Sequence, residues 1–335
     1  MKHACVYLPL RARDDVLIAR SRIFNMDFFA KPKFMYENIK IERIEDHDEY
    51  RRRLEIIKEN KVSQNTGMIT IEIPKEIESL DQAEEYSKKK LDNLWILLSF
   101  AHEHQVFWHG LEIVEVDGEE IVKRSTYTAI WTGKAGYFCA HMLSPYLEEF
   151  LKSAMPLLEN EEFISRTNIR HALLLYNLAQ NFTFIEIRFQ LFWMALEGMA
   201  NVYTRIEPIE PPLTKDEWNG FKKVLEDYLD KIGKKEALSE VIRHFSFIRE
   251  PVARDKINHL LRHHNLSQYS NEIGPFLNIR RALFHGRSVD IPPHDFSIAV
   301  RKLEGLLEKI LFKFLNFYEN EMIHPSIKSE DLLAR

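Results

Sequence analysis

Residues 183–203 read TFIEIRFQLFWMALEGMANVY, and the distribution of their apolar side chains decides the fold. Phe189, Leu191, Phe192, Trp193, Leu196 and Met199 occupy more than one face of a helix, and a helix with so little polar surface belongs inside a packed structure. The spacing therefore predicts the centre of a helical bundle. Upstream, residues 165–181 (SRTNIRHALLLYNLAQN) have the same character and predict a second long core helix. Downstream, IEPIEPPLT (Ile206 to Thr214) carries three prolines and must end the helix. Three or four shorter helices are expected over about 215–285. After SVDIPP, a last long helix is expected from about Asp295 to Glu321, with Phe296, Val300, Leu303, Leu307, Ile310, Phe314 and Phe317 on one face.

The pattern changes on the N-terminal side of about Ser144. MITIEI, residues 68–73, alternates as a strand does, and residues 79–105 place Ala83, Tyr86, Leu91, Leu94, Leu98 and Ala101 at helical spacing. Two strand-like runs over Phe107 to Ile130 flank Asp117-Gly118, a pair that tolerates the positive φ angles of a tight hairpin turn. The expected fold class is α+β overall: a mixed N-terminal domain over residues 1–143, read as a sensor or substrate selector, followed by an all-α bundle over 144–335. No internal repeat or low-complexity tract interrupts it.

Composition narrows the function classes. With 45% hydrophobic and 29% charged residues among 335, the chain has globular composition, and its scarce Gly (11) and Pro (13) favour helix. Two cysteines, Cys5 and Cys139, offer no disulfide framework and no zinc spacing, which fits a reducing cytosol. No segment approaches the roughly 20 apolar residues of a membrane span, so no membrane association is expected. The net charge of −5 hides a local reversal. From Arg243 to Arg287 there are eight Lys or Arg against three acids, together with five histidines.

Glycine-rich phosphate loops and a nucleophile elbow are absent, which removes the commonest nucleotide-hydrolase and esterase readings. His259 and His263 lie four apart, as two metal ligands on one helical face would, but no acid follows the zinc-protease pattern, and a polar helix edge explains them better. His102, His104 and His109 read as structural residues. More telling is LNIRRALFHGR, Leu277 to Arg287, with three arginines and a histidine threaded between apolar residues at a helix end that Gly286 can cap. Arg280 and His285 form one of three Arg-x4-His pairs, beside Arg166/His171 and Arg254/His259, so the spacing by itself carries little. Context separates them: the other two read as exposed helix faces, whereas His285 falls where a substrate can reach it.

Taken in order, RFQLFWMALEGMANVY, the proline-rich break, DKINHLLRHHNLSQYSNEIGPFLNIRRALFHGR and the final long helix resemble a HEPN domain of the Apea-like type, covering about residues 160–320. The resemblance rests on Ala195-Leu196-Glu197 in a core helix and on Arg280-x4-His285 followed by Gly286. It implies a bundle that pairs as a homodimer and a metal-independent, cofactor-free endoribonuclease, with Arg280 and His285 catalytic and Glu197 a supporting acid. It also implies RNA as partner and a role in stress response or phage defence; an enzyme of this kind needs control, and a regulatory protein partner is one way to supply it. Active members commonly carry Asn, Asp or His after the motif arginine; here that residue is Arg281.

The chemistry can be argued from the residues themselves. RNA carries its own nucleophile, the 2′-hydroxyl, so a protein need supply only proton transfer and a cation for the crowded phosphorane. An imidazole suits the first need and a guanidinium fork the second. His285 would then move protons, Arg280 would clamp the phosphate, and Arg281 and Arg287 would hold flanking phosphates. Residues five apart on a regular helix are separated by about 140° around its axis, whereas residues four apart share a face. Three arrangements follow: the helix tightens or ends before His285, Arg281 is the nearer partner, or the pair is completed across a dimer. The competing function is a non-catalytic module that binds RNA, a nucleotide or a protein.

Overall fold

The computed structural model describes residues 17–26, 28, 31–60, 63–102, 105–115, 121–128, 146–211, 213–245, 251–284 and 291–317. Six strands come first: β1 (Leu17–Phe24), β2 (Lys33–Tyr36), β3 (Ile39–Arg43), β4 (Asn65–Glu72), β5 (Phe107–Glu115) and β6 (Ile121–Thr128). They form one antiparallel sheet in the order β2-β3-β4-β1-β5-β6. Side-chain alternation explains its two faces. Ile39, Ile71, Ala19 and Ile113 align across four strands and are buried, while the next row, Lys40, Thr70, Arg20, Glu112 and Arg124, is polar. Gly67 is required where β4 passes β3, because a Cβ there would stand 2.3 Å from the Glu42 carbonyl oxygen.

Helix α1 (His47–Asn60) precedes β4, and α2 (Leu80–His102) joins the sheet to the helical part. Its second half is buried on nearly every side, including Leu91, Leu94, Leu97, Leu98 and Phe100, because it packs on β1 and β5 as well as on two later helices, α3 (Leu147–Glu159) and α5 (Ile169–Gln180). Two of its polar side chains reach across these contacts: the Asn93 amide donates to the Leu158 carbonyl at 3.2 Å, and Lys90 pairs with Glu159 at 2.6 Å. One apolar core runs from Ala19 to Phe317 without a break.

The predicted helix over 165–181 is two helices, α4 (Glu161–Thr167) and α5, hinged at Asn168. Asn168 adopts φ 57°, a left-handed conformation that asparagine tolerates better than most residues, and its backbone N–H closes α4 on the Ile164 carbonyl. The decisive stretch forms α6 (Ile185–Ile206), with Phe189, Phe192, Trp193, Leu196 and Met199 fully buried at the bundle centre. Beyond the prolines come α7 (Lys215–Lys231), α8 (Leu238–His244), α9 (Ala253–His263), α10 (Ile273–Phe284) and α11 (Pro293–Phe314). Thr214 begins α7 with a reciprocal capping box to Glu217. Helix α11 stops short of the predicted Glu321: Asn316 turns left-handed at φ 54°, and Phe317 folds back into the core.

Phe189 sets the position of α10. Its ring lies 6.4 Å from that of Phe276 on α10 and 6.0 Å from that of Phe296 on α11. With Ile273, Phe276 and Ile279 all buried, α10 turns one apolar face to the bundle, and the residue after Ile279 falls at the edge of that face.

Candidate functional site

That residue is Arg280. Its guanidinium reaches α6, where Nη2 lies 3.6 Å from Glu197 Oε2, and its Cζ stands 5.0 Å from the centre of the Phe284 ring one turn along. Glu197 is held in turn from its own helix: the Trp193 indole N–H, four residues earlier, donates to the same Oε2 at 2.7 Å. A buried tryptophan thus orients a carboxylate, and the carboxylate draws in an arginine from the neighbouring helix. The pair is partly open to solvent, with side-chain exposures of 24% for Glu197 and 34% for Arg280. At 3.6 Å the contact is one between charges and not a hydrogen bond, so it consumes none of the five guanidinium donors. Arg280 Nε is buried without a hydrogen-bond partner among the described residues.

Beside this pair lies a groove of about 570 Å³ between the start of α9 and the length of α10. Arg254, Asn278, Arg280 and Arg281 line it together with Gly274, Pro275 and the apolar Val252, Ala253 and Leu277, and no carboxylate does so among the described residues. Arg254 and Arg281 are exposed and make no ion pair among those residues. Asp255, next to Arg254, is engaged by its own helix, accepting from the Val252 N–H at 3.2 Å.

Neither a family model, nor a curated protein, nor a solved structure matches the chain. The site therefore rests on its geometry and on the residue pattern.

The structure brings three of the five predicted site residues to one place: Glu197 and Arg280 in contact, with Arg281 in the adjoining groove. His285 and Arg287 lie outside the described residues, as do His104, Asp117, Gly118, Cys5 and Cys139. Trp193 and Arg254 are the residues that sequence reasoning missed. Trp193 had a readable signal, since positions four apart on a helix meet. Arg254 had only the charge excess of its region, because membership of the groove depends on how α9 crosses α10.

The other histidines separate from this site. His102 is buried, and His109 on β5 meets Phe24 edge-on at 6.3 Å. His259, expected on an exposed face, is instead half-buried: its ring lies 5.8 Å from that of Tyr203 and 5.3 Å from that of His263. His264 completes the cluster, 5.6 Å from Tyr203 and 4.4 Å from Phe314, and its imidazole is held below the ordinary range by burial, then by His263 and Lys313. Among the described residues no three His, Cys, Asp or Glu side chains are placed to hold a metal ion together. No described helix is long and apolar enough to cross a membrane.

Proposed function

We propose that the chain is a metal-independent endoribonuclease of the HEPN type, working as a homodimer, with Arg280 the phosphate clamp and His285 the acid–base group. The observation that supports this most directly is the Trp193–Glu197–Arg280 relay beside a groove that three arginines and no described carboxylate line. Glu197 fixes where the guanidinium stands without using up its hydrogen-bond donors, which is what a clamp for a transient dianion requires.

In the proposed reaction the 2′-oxygen attacks the adjacent phosphorus and the P–O5′ bond breaks, leaving a 2′,3′-cyclic phosphate and a 5′-hydroxyl. His285 takes the proton of the 2′-hydroxyl, and the imidazolium so formed gives a proton to the departing O5′, which leaves the imidazole neutral again. Arg280 meets the charge that builds on the phosphorane oxygens, and Arg281 and Arg287 hold neighbouring phosphates. Glu197 positions Arg280 and touches no reacting atom. Release of RNA breakdown in a cell needs restraint, and a stress or phage-defence setting with a regulatory partner is the corresponding proposal.

The test is product chemistry. Purified chain incubated with end-labelled RNA in excess EDTA should yield cyclic-phosphate and 5′-hydroxyl ends, leave DNA intact and lose activity with His285→Ala. Retained RNA binding without any cleavage would instead favour the non-catalytic module, for which Arg281 in the motif is the motivating feature.

A further inference from the structure

We infer that Arg254, from a different helix and outside the motif, is a third phosphate-binding guanidinium, and that the groove between α9 and α10 carries the single-stranded RNA next to the scissile phosphate. The inference rests on the ribonuclease reading for its choice of ligand, and on the groove itself for its location.

Three arginines from two helices converge on this one depression, with Asn278 beside them and no described carboxylate in its lining. Like charges gathered on a protein surface repel one another, so a cluster of this kind without acids costs stability unless an anion occupies it. Elsewhere some exposed arginines are matched, as Arg52 is with Glu49, Arg124 with Glu112 and Arg166 with Glu162, and others such as Arg22 and Arg262 have no ion pair among the described residues; what sets the depression apart is that three arginines gather on it. Here the nearby acids are committed, Asp255 to the Val252 N–H and Glu197 to Trp193 and Arg280. Arg254 and Arg281 are left with their forks toward solvent and no ion-pair partner among the described residues.

The ligand follows from the shape and the charges. A volume of about 570 Å³ lies within the size of a ligand site, and the depression is lined along α10 rather than closed around a point. Several guanidiniums set along one open groove suit successive phosphates of a strand, because each fork can take one phosphate bidentately. With Arg280 at the scissile phosphate, Arg254 engages its neighbour on the α9 side.

The experiment uses the full chain and a short single-stranded 2′-O-methyl oligoribonucleotide, which cannot supply the attacking hydroxyl. Binding is followed by fluorescence anisotropy in EDTA over a range of salt. Arg254→Ala should weaken binding about threefold to tenfold at low salt and reduce the slope of log affinity against log salt by about 0.7, the loss of one phosphate contact on a single strand. Arg254→Lys should keep most of that slope. Arg262→Ala, which removes the same charge from the same helix outside the groove, should leave it unchanged. An unaltered slope in Arg254→Ala, an equal loss in Arg262→Ala, or no binding by the wild type overturns the inference. The ribonuclease reading fails separately: an Arg254-dependent slope without cleavage of ordinary RNA keeps the groove and removes the nuclease, and cleavage with an unaltered slope does the reverse.

Discussion

Arg280 stands between a carboxylate and an aromatic ring, and the two neighbours make different predictions for its removal. Its pairing with Glu197 is partly solvated and so worth about 0–1 kcal/mol, whereas a lost clamp on a developing dianion costs about 10²–10³ in turnover. Arg280→Ala should therefore slow cleavage about 10²–10³-fold in single-turnover assays with little change in melting temperature. Glu197 separates positioning from structure in another way. Glu197→Gln keeps an oxygen for the Trp193 indole and should melt near the wild type while cleaving more slowly, with substrate binding largely retained. Glu197→Ala leaves that buried N–H unpaired and should cost about 1–3 kcal/mol as well. Equal loss of stability and activity in both variants would make the relay a structural tie alone.

His264 gives a pH prediction at the same scale. Burial, then His263 and Lys313, hold its imidazole below the ordinary value of about 6.5. The folded state thus disfavours its protonation, while the unfolded chain takes the proton more readily. The stability this group contributes is complete above about pH 6.5 and is lost as pH falls through the lower folded value. Melting temperature should decline over that acid window, and His264→Phe, which fits beside Phe314, should flatten the decline. An unchanged pH profile in that variant would place the acid sensitivity elsewhere.

At the scale of elements, two backbone positions constrain the packing, one between helices and one within the sheet. Asn168 turns left-handed between α4 and α5, and Asn168→Ala should destabilise by about 1–2 kcal/mol while Asn168→Gly is tolerated. Gly67→Ala forces a Cβ against the Glu42 carbonyl and should cost about 1–3 kcal/mol, measured by denaturant unfolding. The strand at 68–73, the helix over 79–105 and the core helix at 183–203 were legible because each carries its own periodicity. The break at Asn168 was not, since Ser165, Arg166, Thr167 and Asn168 include no proline or glycine to mark it and only the backbone angle changes. The site was legible to a similar extent. Arg280 and Arg281 stood out in the sequence as part of a basic run at a helix end, and Glu197 was singled out only by the resemblance. Arg254 read as a solvated helix face, since its role depends on the crossing of α9 over α10, which no local pattern encodes.

Across the whole molecule, α2 belongs to the core of both halves. It is buried against the sheet on one side and against α3 and α5 on the other, and the apolar core continues through it. Residues 144–335 produced alone would expose the surfaces of Phe150, Leu158 and Tyr176, and should lack a cooperative melting transition; a sharp, reversible transition in that fragment would show that the helical half stands by itself. The same continuity offers a physical route by which events at the sheet could reach the bundle that holds Arg280.

Whether Arg280 and His285 together cut RNA without a metal is decided by product ends. Full-length chain, Arg280→Ala and His285→Ala are compared on end-labelled RNA in excess EDTA, with product ends resolved. The expected result is cleavage to 2′,3′-cyclic phosphates by the wild type, with both variants folded and slower by at least about 10²-fold. Cleavage at near the wild-type rate in either variant, or a wild type that binds RNA and never cuts it, would contradict this.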